Sequence, residues 1–238
     1  MSAWLVHFYT ASGAVAALLA TRAIYEADVR AVFLWLTAAA IIDATDGWLA
    51  RVARVRERTP GLDGARLDDI VDYLTFVFVP VLVLLETNTL EPPAALPAAA
   101  AVLLASAYGF ARVDAKTDDY FFTGFPSYWN VVAFYLIALG TPPGVSAALL
   151  LVLAALVFVP IGYVYPSRTP ALRGLTVALG VLWGGMIGLG VWQLPTPDRT
   201  LILASLFFPV YYTALSLYLH SRRTTLKGQR TTLKGRTT

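Results

Sequence analysis

Four aspartates, Asp43, Asp46, Asp68 and Asp72, stand at the edges of two strongly apolar stretches. LWLTAAAII leads into the first pair and YLTFVFVPVLVLL follows the second. The segment from Asp43 to Asp72 holds seven of the fifteen acidic residues in the chain. A carboxylate at the centre of a membrane helix costs about 2.5–3.5 kcal/mol. Four unpaired ones would cost roughly 10 kcal/mol, comparable to the stability of a whole domain. The fold must therefore bring the four to a common partner. Asp43 and Asp46 are spaced i,i+3, and Asp68 and Asp72 are spaced i,i+4, so each pair shares one helix face. No His or Cys lies among them, and an all-carboxylate set is a hard oxygen site suited to Mg²⁺ or Mn²⁺ rather than Zn²⁺. Gly47 and Ala50 leave room beside the first pair. Arg51, at i+4 from Gly47, can reach a phosphate or a carboxylate.

The rest of the chain fits a membrane setting. Of its 238 residues 58% are hydrophobic and 14% charged, with a mean hydropathy of +0.65. This composition predicts a polytopic membrane protein. It has no cysteine, which excludes disulfides and thiolate chemistry. Its two histidines, His7 and His220, lie near opposite ends, so a carboxylate is the expected general base.

Hydropathy predicts an all-α helix bundle of about eight transmembrane helices. They are read at Trp4–Ala23, Val29–Arg54, Leu67–Leu85, Ala95–Val113, Ser127–Leu139, Val145–Val164, Leu172–Val191 and Leu201–Leu219. The N-terminal stretch lacks a basic leader, so no cleaved signal peptide is expected. Residues 1–220 form the membrane domain. Residues 221–238 are polar and basic, contain TTLKG twice, and read as a disordered tail that touches anionic headgroups.

With eight spans, fifteen of the eighteen Lys and Arg fall on one side. The other side keeps Arg22, Arg30 and Arg199. The positive-inside rule then puts both termini and the acidic segment in the cytoplasm. The basic loop VARVRERTPGLD after the first aspartate pair serves this topology and also attracts anionic substrates.

The pattern D43-x2-D46-G47-x2-A50-R51 … G64-x3-D68-x3-D72 resembles the signature of the CDP-alcohol phosphotransferase family, with all eight residues matched. Twelve residues separate Arg51 from Gly64, more than in most of that family and similar to its bacterial phosphatidylcholine synthase branch. LDGARLDDIVDYLTFVFVPV and FFTGFPSYWN are similar to that branch too, and the likeness runs from Trp35 to Phe134.

The resemblance implies a bacterial inner-membrane enzyme with its site facing the cytoplasm. It implies CDP-diacylglycerol as donor, choline as acceptor, and phosphatidylcholine and CMP as products. It also implies a homodimer among membrane lipids and no nucleic-acid partner. Asp43, Asp46, Asp68 and Asp72 would hold two divalent ions, Mn²⁺ or Mg²⁺. Asp43, Asp46, Gly47, Ala50, Arg51 and Gly64 would bind the cytidine diphosphate, and Asp72 would be the general base.

A quaternary ammonium has no N–H to donate, so aromatic faces must hold it. Tyr73, Tyr108, Tyr128 and Trp129 are the candidates, although the aromatic run from Tyr120 to Trp129 also reads as an interfacial belt. Asp69 reads first as a support for Arg51 or Arg66 and second as a carboxylate facing water at the helix entrance, and Pro80 as a kink that opens a cavity. Gly180, Gly184 and Gly188 form a small-residue stripe, read first as packing within the bundle and second as a dimer face. Two alternatives remain open at this stage. One keeps the chemistry with serine, glycerol 3-phosphate or inositol phosphate as acceptor. The other is a cation channel or transporter, which explains the acids but not Gly47, Ala50, Arg51 and Gly64.

Overall fold

The computed structural model describes residues 2–234 apart from Asp118 and Ser167, with side chains as far as Arg223. The chain is mostly helical, and every one of the eight apolar segments becomes helix. In chain order these are α1 (Ala3–Tyr25) and α2 (Val29–Val52), followed by a one-turn α3 (Val55–Arg58) in the basic loop. A continuous run then comprises α4 (Gly64–Asp72), a π-helical turn (Tyr73–Phe78) and α5 (Val79–Glu86). After it come α6 (Ala95–Ala111), α7 (Trp129–Ala138), α8 (Pro143–Phe158), α9 (Arg173–Trp192), α10 (Arg199–Ser205) and α11 (Phe207–Lys234). Among the described residues four helical runs are long and apolar enough to cross a membrane: α1, α2, α9 and Arg199–Arg223. Helices α6, α7 and α8 are apolar but shorter. This is a helical membrane protein.

The fold departs from an all-α bundle in one place. Two three-residue strands, β1 (Phe121–Thr123) and β2 (Gly162–Val164), pair antiparallel with Phe121 opposite Val164 and Thr123 opposite Gly162. The sixth helix was expected to run to Val164 but ends at Phe158. Pro160 is the cause: it has no N–H, and it pushes the preceding residue out of the α region. Val159 is accordingly extended, with ψ 123°.

The third helix begins at Gly64, earlier than expected, because the Asp63 carboxylate accepts from the Ala65 and Arg66 amides at 3.1 and 3.3 Å. Pro80 sits just past the π turn, where its ring would meet the Phe76 carbonyl of a regular helix. The wider turn absorbs that conflict directly after Asp72. Within it the Thr75 hydroxyl bonds the Val71 carbonyl at 3.0 Å.

Helix α7 lies at the centre of the bundle. Its 10 residues reach only about 15 Å, yet Ala133, Phe134, Tyr135 and Leu136 are consecutive and all buried, so neighbours surround it on every side. Its polar groups are matched: Trp129 Nε1 donates to Ser106 at 2.7 Å, and Tyr135 bonds Ser205 at 2.8 Å. Among the described residues no buried side-chain nitrogen or oxygen lacks a partner, as a low-dielectric interior requires.

The glycine stripe of α9 does not pack as first expected. A Cβ on Gly180 would touch Phe208 at 3.4 Å, but on Gly184 or Gly188 it would meet nothing within 4 Å. Those two face away from the described part of the bundle. At the C-terminal end α11 continues to Lys234, into the segment whose composition reads as disordered. The last part of that segment, residues 235–238, lies outside the described residues.

Candidate active site

Helices α2 and α4 converge at their motif-bearing ends, and α1 joins them. On α1, His7, Thr10 and Gly13 recur every three residues and so share a face. Each meets a different part of the acidic segment. Thr10 Oγ1 donates to Asp46 Oδ2 at 2.7 Å, with both residues buried. His7 Nε2 bonds Thr59 Oγ1 at 2.8 Å. The Thr59 hydroxyl donates to the Val55 carbonyl at 2.9 Å, which leaves its oxygen to accept from His7. A Cβ on Gly64 would stand 3.1 Å from His7 Cε1, and one on Gly13 would stand 2.5 Å from Val71 Cγ1. Glycine is thus what permits α1 and α4 to approach beside Asp68 and Asp72.

This convergence brings Asp43, Asp68 and Asp72 together, each half-buried, with one carboxylate oxygen apiece within 4.8 Å of the others. Three carboxylates from two helices at that separation can hold a divalent cation, and the donor set is entirely oxygen. Asp46 is outside this group, one turn further along α2, where it receives the Thr10 hydroxyl.

The three carboxylates and Asp69 line one wall of a cavity of about 390 Å³. Arg112 and Lys116 bring positive charge to the same cavity. A two-pronged bond to Asp114, at 2.8 and 2.7 Å, fixes Arg112, and it holds the Asp114 carboxyl below the usual carboxylate range. Six aromatics line the cavity: Phe76 and Phe110 from the helices, and Phe122, Phe125, Tyr128 and Tyr165, which form a wall from the strands and loops. Phe122 and Tyr165 meet there with tilted rings, 4.8 Å between centroids.

A second cavity, of about 600 Å³, adjoins the first at Ala65 and is lined by Ala50, Arg51 and Gly64. Arg51 is exposed, and its Nη1 would stand 3.5 Å from a Cβ on Gly47. Three of the residues expected to bind the nucleotide, Ala50, Arg51 and Gly64, thus line a cavity beside the carboxylates, whereas Asp46 and Gly47 line neither cavity.

Of the four aromatics singled out from sequence, only Tyr128 lines the carboxylate cavity. Tyr73 donates its hydroxyl to the Leu103 carbonyl at 3.0 Å. Tyr108 stacks on Phe158 at 4.9 Å and carries the Arg112 guanidinium over its ring at 5.5 Å. Trp129 is fully buried in the core. Asp69 faces the cavity, while Arg66 pairs with Asp63 at 3.3 Å.

Sequence reasoning missed His7, Thr10, Lys116, Phe122 and Tyr165. The spacing of His7, Thr10 and Gly13 on one face of α1 was a readable signal. Nothing in sequence brings Tyr165 beside Phe122, because β-pairing across forty residues does that.

No protein-family model matches the chain. Comparison with curated proteins finds a phosphatidylcholine synthase of Legionella pneumophila, 39% identical over 226 residues that cover 91% of this chain and 88% of that protein. One of Pseudomonas aeruginosa is 37% identical over 222 residues, 92% of each chain. One of Rhizobium johnstonii is 36% identical over 207 residues, 85% of this chain and 84% of that one. The aligned region takes in nearly the whole fold, including the helices that bear the carboxylates and the loops that carry the aromatic wall. The chain therefore belongs to the phosphatidylcholine synthase family.

Proposed function

We propose that the chain transfers the phosphatidyl group of CDP-diacylglycerol to choline, giving phosphatidylcholine and CMP. One observation carries this reading: in a member of this family, the Asp43–Asp68–Asp72 cluster and an aromatic wall that includes Phe122, Phe125, Tyr128 and Tyr165 line a single cavity, beside the Arg51–Gly64 pocket. Carboxylates suit the diphosphate end through divalent metal, and aromatic faces suit a cation without N–H groups, each contact contributing roughly 0.5–2 kcal/mol.

Asp43, Asp46, Asp68 and Asp72 are the proposed holders of two Mn²⁺ or Mg²⁺ ions. When bound, these supply charge neutralisation at the diphosphate and the departing CMP. Asp72 accepts the proton of the choline hydroxyl. The hydroxyl oxygen then bonds to the phosphorus that bears diacylglycerol, the phosphorus–oxygen bond to CMP breaks, and CMP leaves. Arg51, Gly47, Ala50 and Gly64 orient the nucleotide, and Arg112 and Lys116 offset the charge of the acidic wall. Tyr128 is the choline-binding ring of the proposal, joined by Phe122, Phe125 and Tyr165 in place of Tyr73, Tyr108 and Trp129.

The same reading places the protein in a bacterial inner membrane. About eight helical passes, with both termini and the site on the cytoplasmic side, follow from the loop charges. A homodimer belongs to the proposal, and the open Gly184–Gly188 face of α9 is available to a second copy.

The test is CMP release by purified protein given CDP-diacylglycerol, Mn²⁺ or Mg²⁺, and choline, serine or glycerol 3-phosphate in parallel. Release with choline alone is expected. Release with another acceptor instead would overturn the choline reading and keep the donor chemistry. Absence of both release and metal-dependent CDP binding would favour an ion pathway.

A further inference from the structure

The β1–β2 pair is too small to stand alone. Two strands of three residues are marginal in water without further support, yet Phe122 and Thr123 of β1 line the carboxylate cavity, and Phe125 and Tyr165 line it just beyond the strand ends. The inner edge of β2 pairs with β1. Helix α11 takes up its outer edge. The Gly162 amide donates to His220 Nδ1 at 3.0 Å, and the Val164 amide donates to Ser216 Oγ at 3.1 Å. The Val164 carbonyl accepts from Tyr212 OH at 3.0 Å.

The two periodicities match. Alternate strand residues present their backbone groups to one edge, while Tyr212, Ser216 and His220 recur every four residues on one face of a helix. Arg223 closes the row, lying 4.4 Å over the Phe121 ring and 2.5 Å from Asp119. Helix and strand are so close that a Cβ on Gly162 would come within 2.9 Å of Arg223 Nη1.

We propose that Tyr212, Ser216 and His220 are positioning residues: through the outer edge of β2 they fix the flap that forms the acceptor side of the cavity. None of the three lines that cavity. Ser216 and His220 reach the acceptor through the backbone of β2, and thence through β1 and Tyr165; Tyr212 also lies against the Tyr128 ring, 6.3 Å between centroids, so the test below is made at Ser216 and His220. The acceptor side of the argument rests on the choline reading above, whereas the clamp itself rests on the three hydrogen bonds. Because His220 Nδ1 accepts, the ring holds its proton on Nε2. An asparagine can present its side-chain oxygen where Nδ1 stands and so replace the acceptor.

The experiment uses the full chain in lipid nanodiscs, with His220→Ala, Ser216→Ala and His220→Asn. Hydrogen exchange is followed over residues 121–125 and 160–165. Loss of one acceptor should speed exchange there about tenfold while α2 and α4 stay as in the parent. The KM for choline should rise about tenfold, with the KM for CDP-diacylglycerol and the melting temperature nearly unchanged. His220→Asn should restore both exchange and KM. Unchanged exchange in both alanine variants would overturn the clamp. Faster exchange with an unchanged choline KM, or with both KM values raised together, would overturn its role in positioning the acceptor. If the parent protein turned over no choline, the function proposed above would fail, and the exchange data alone would still decide the clamp.

Discussion

Thr10→Val tests whether α1 sets the geometry of the acidic site. Valine keeps the shape of threonine and removes its donor. The bond lost is short, 2.7 Å, and runs to a carboxylate buried to 7% exposure on a residue matched in burial. Hydrogen bonds to charged groups contribute about 1.5–3 kcal/mol. At 1.36 kcal/mol per factor of ten, an Asp46 no longer held in place should lower turnover by roughly 10- to 150-fold. The assay is CMP release at saturating CDP-diacylglycerol and choline, repeated across a Mn²⁺ titration. The half-saturating metal concentration should rise along with the fall in rate. Thr10→Ser keeps the hydroxyl and should stay within a few-fold of the parent. If Thr10→Val kept its rate within twofold and its metal dependence unchanged, Thr10 would not orient Asp46, and the reasoning from α1 would be wrong.

Asp72→Asn should abolish CMP release while metal-dependent CDP binding persists weakened, measured by equilibrium dialysis. Gly13→Ala should push α4 away from α1, because its methyl would fall 2.5 Å from Val71 Cγ1; overpacking of that kind costs about 1–3 kcal/mol, read as a lower melting temperature together with reduced turnover. Trp129→Phe should lower stability by about 1 kcal/mol through the lost bond to Ser106 and leave the choline KM unchanged, whereas Tyr128→Ala should raise that KM. Carbon-detected titration of Asp114 should give a midpoint below 3.8. Since this value is depressed on folding, the pair with Arg112 contributes fully above the unfolded carboxylate range and is lost as pH falls through the folded midpoint.

The sequence by itself determined the membrane class, the apolar segments that become helix and the all-oxygen donor set of the acidic segment. Each rests on local information: continuous apolarity for the helices, i,i+3 and i,i+4 spacing for the carboxylate pairs, and residue type for the oxygen donor set. Asp63 as a helix cap and Pro160 as a helix stop were equally local, and the expected boundaries at Leu67 and Val164 passed over them. Tertiary structure decided what depends on distance through space. Which aromatics face the carboxylates was such a matter, because a ring is available to a cation only if no neighbour covers it. Trp129 is spent on the core and Tyr108 on Phe158 and Arg112, while β-pairing brings Tyr165 and Phe122 to the cavity from segments far apart in the chain. The meeting of α1 with the acidic segment was likewise set by packing. A glycine at position 13 is ambiguous in a string of letters and becomes specific only when Val71 occupies the space its side chain would need.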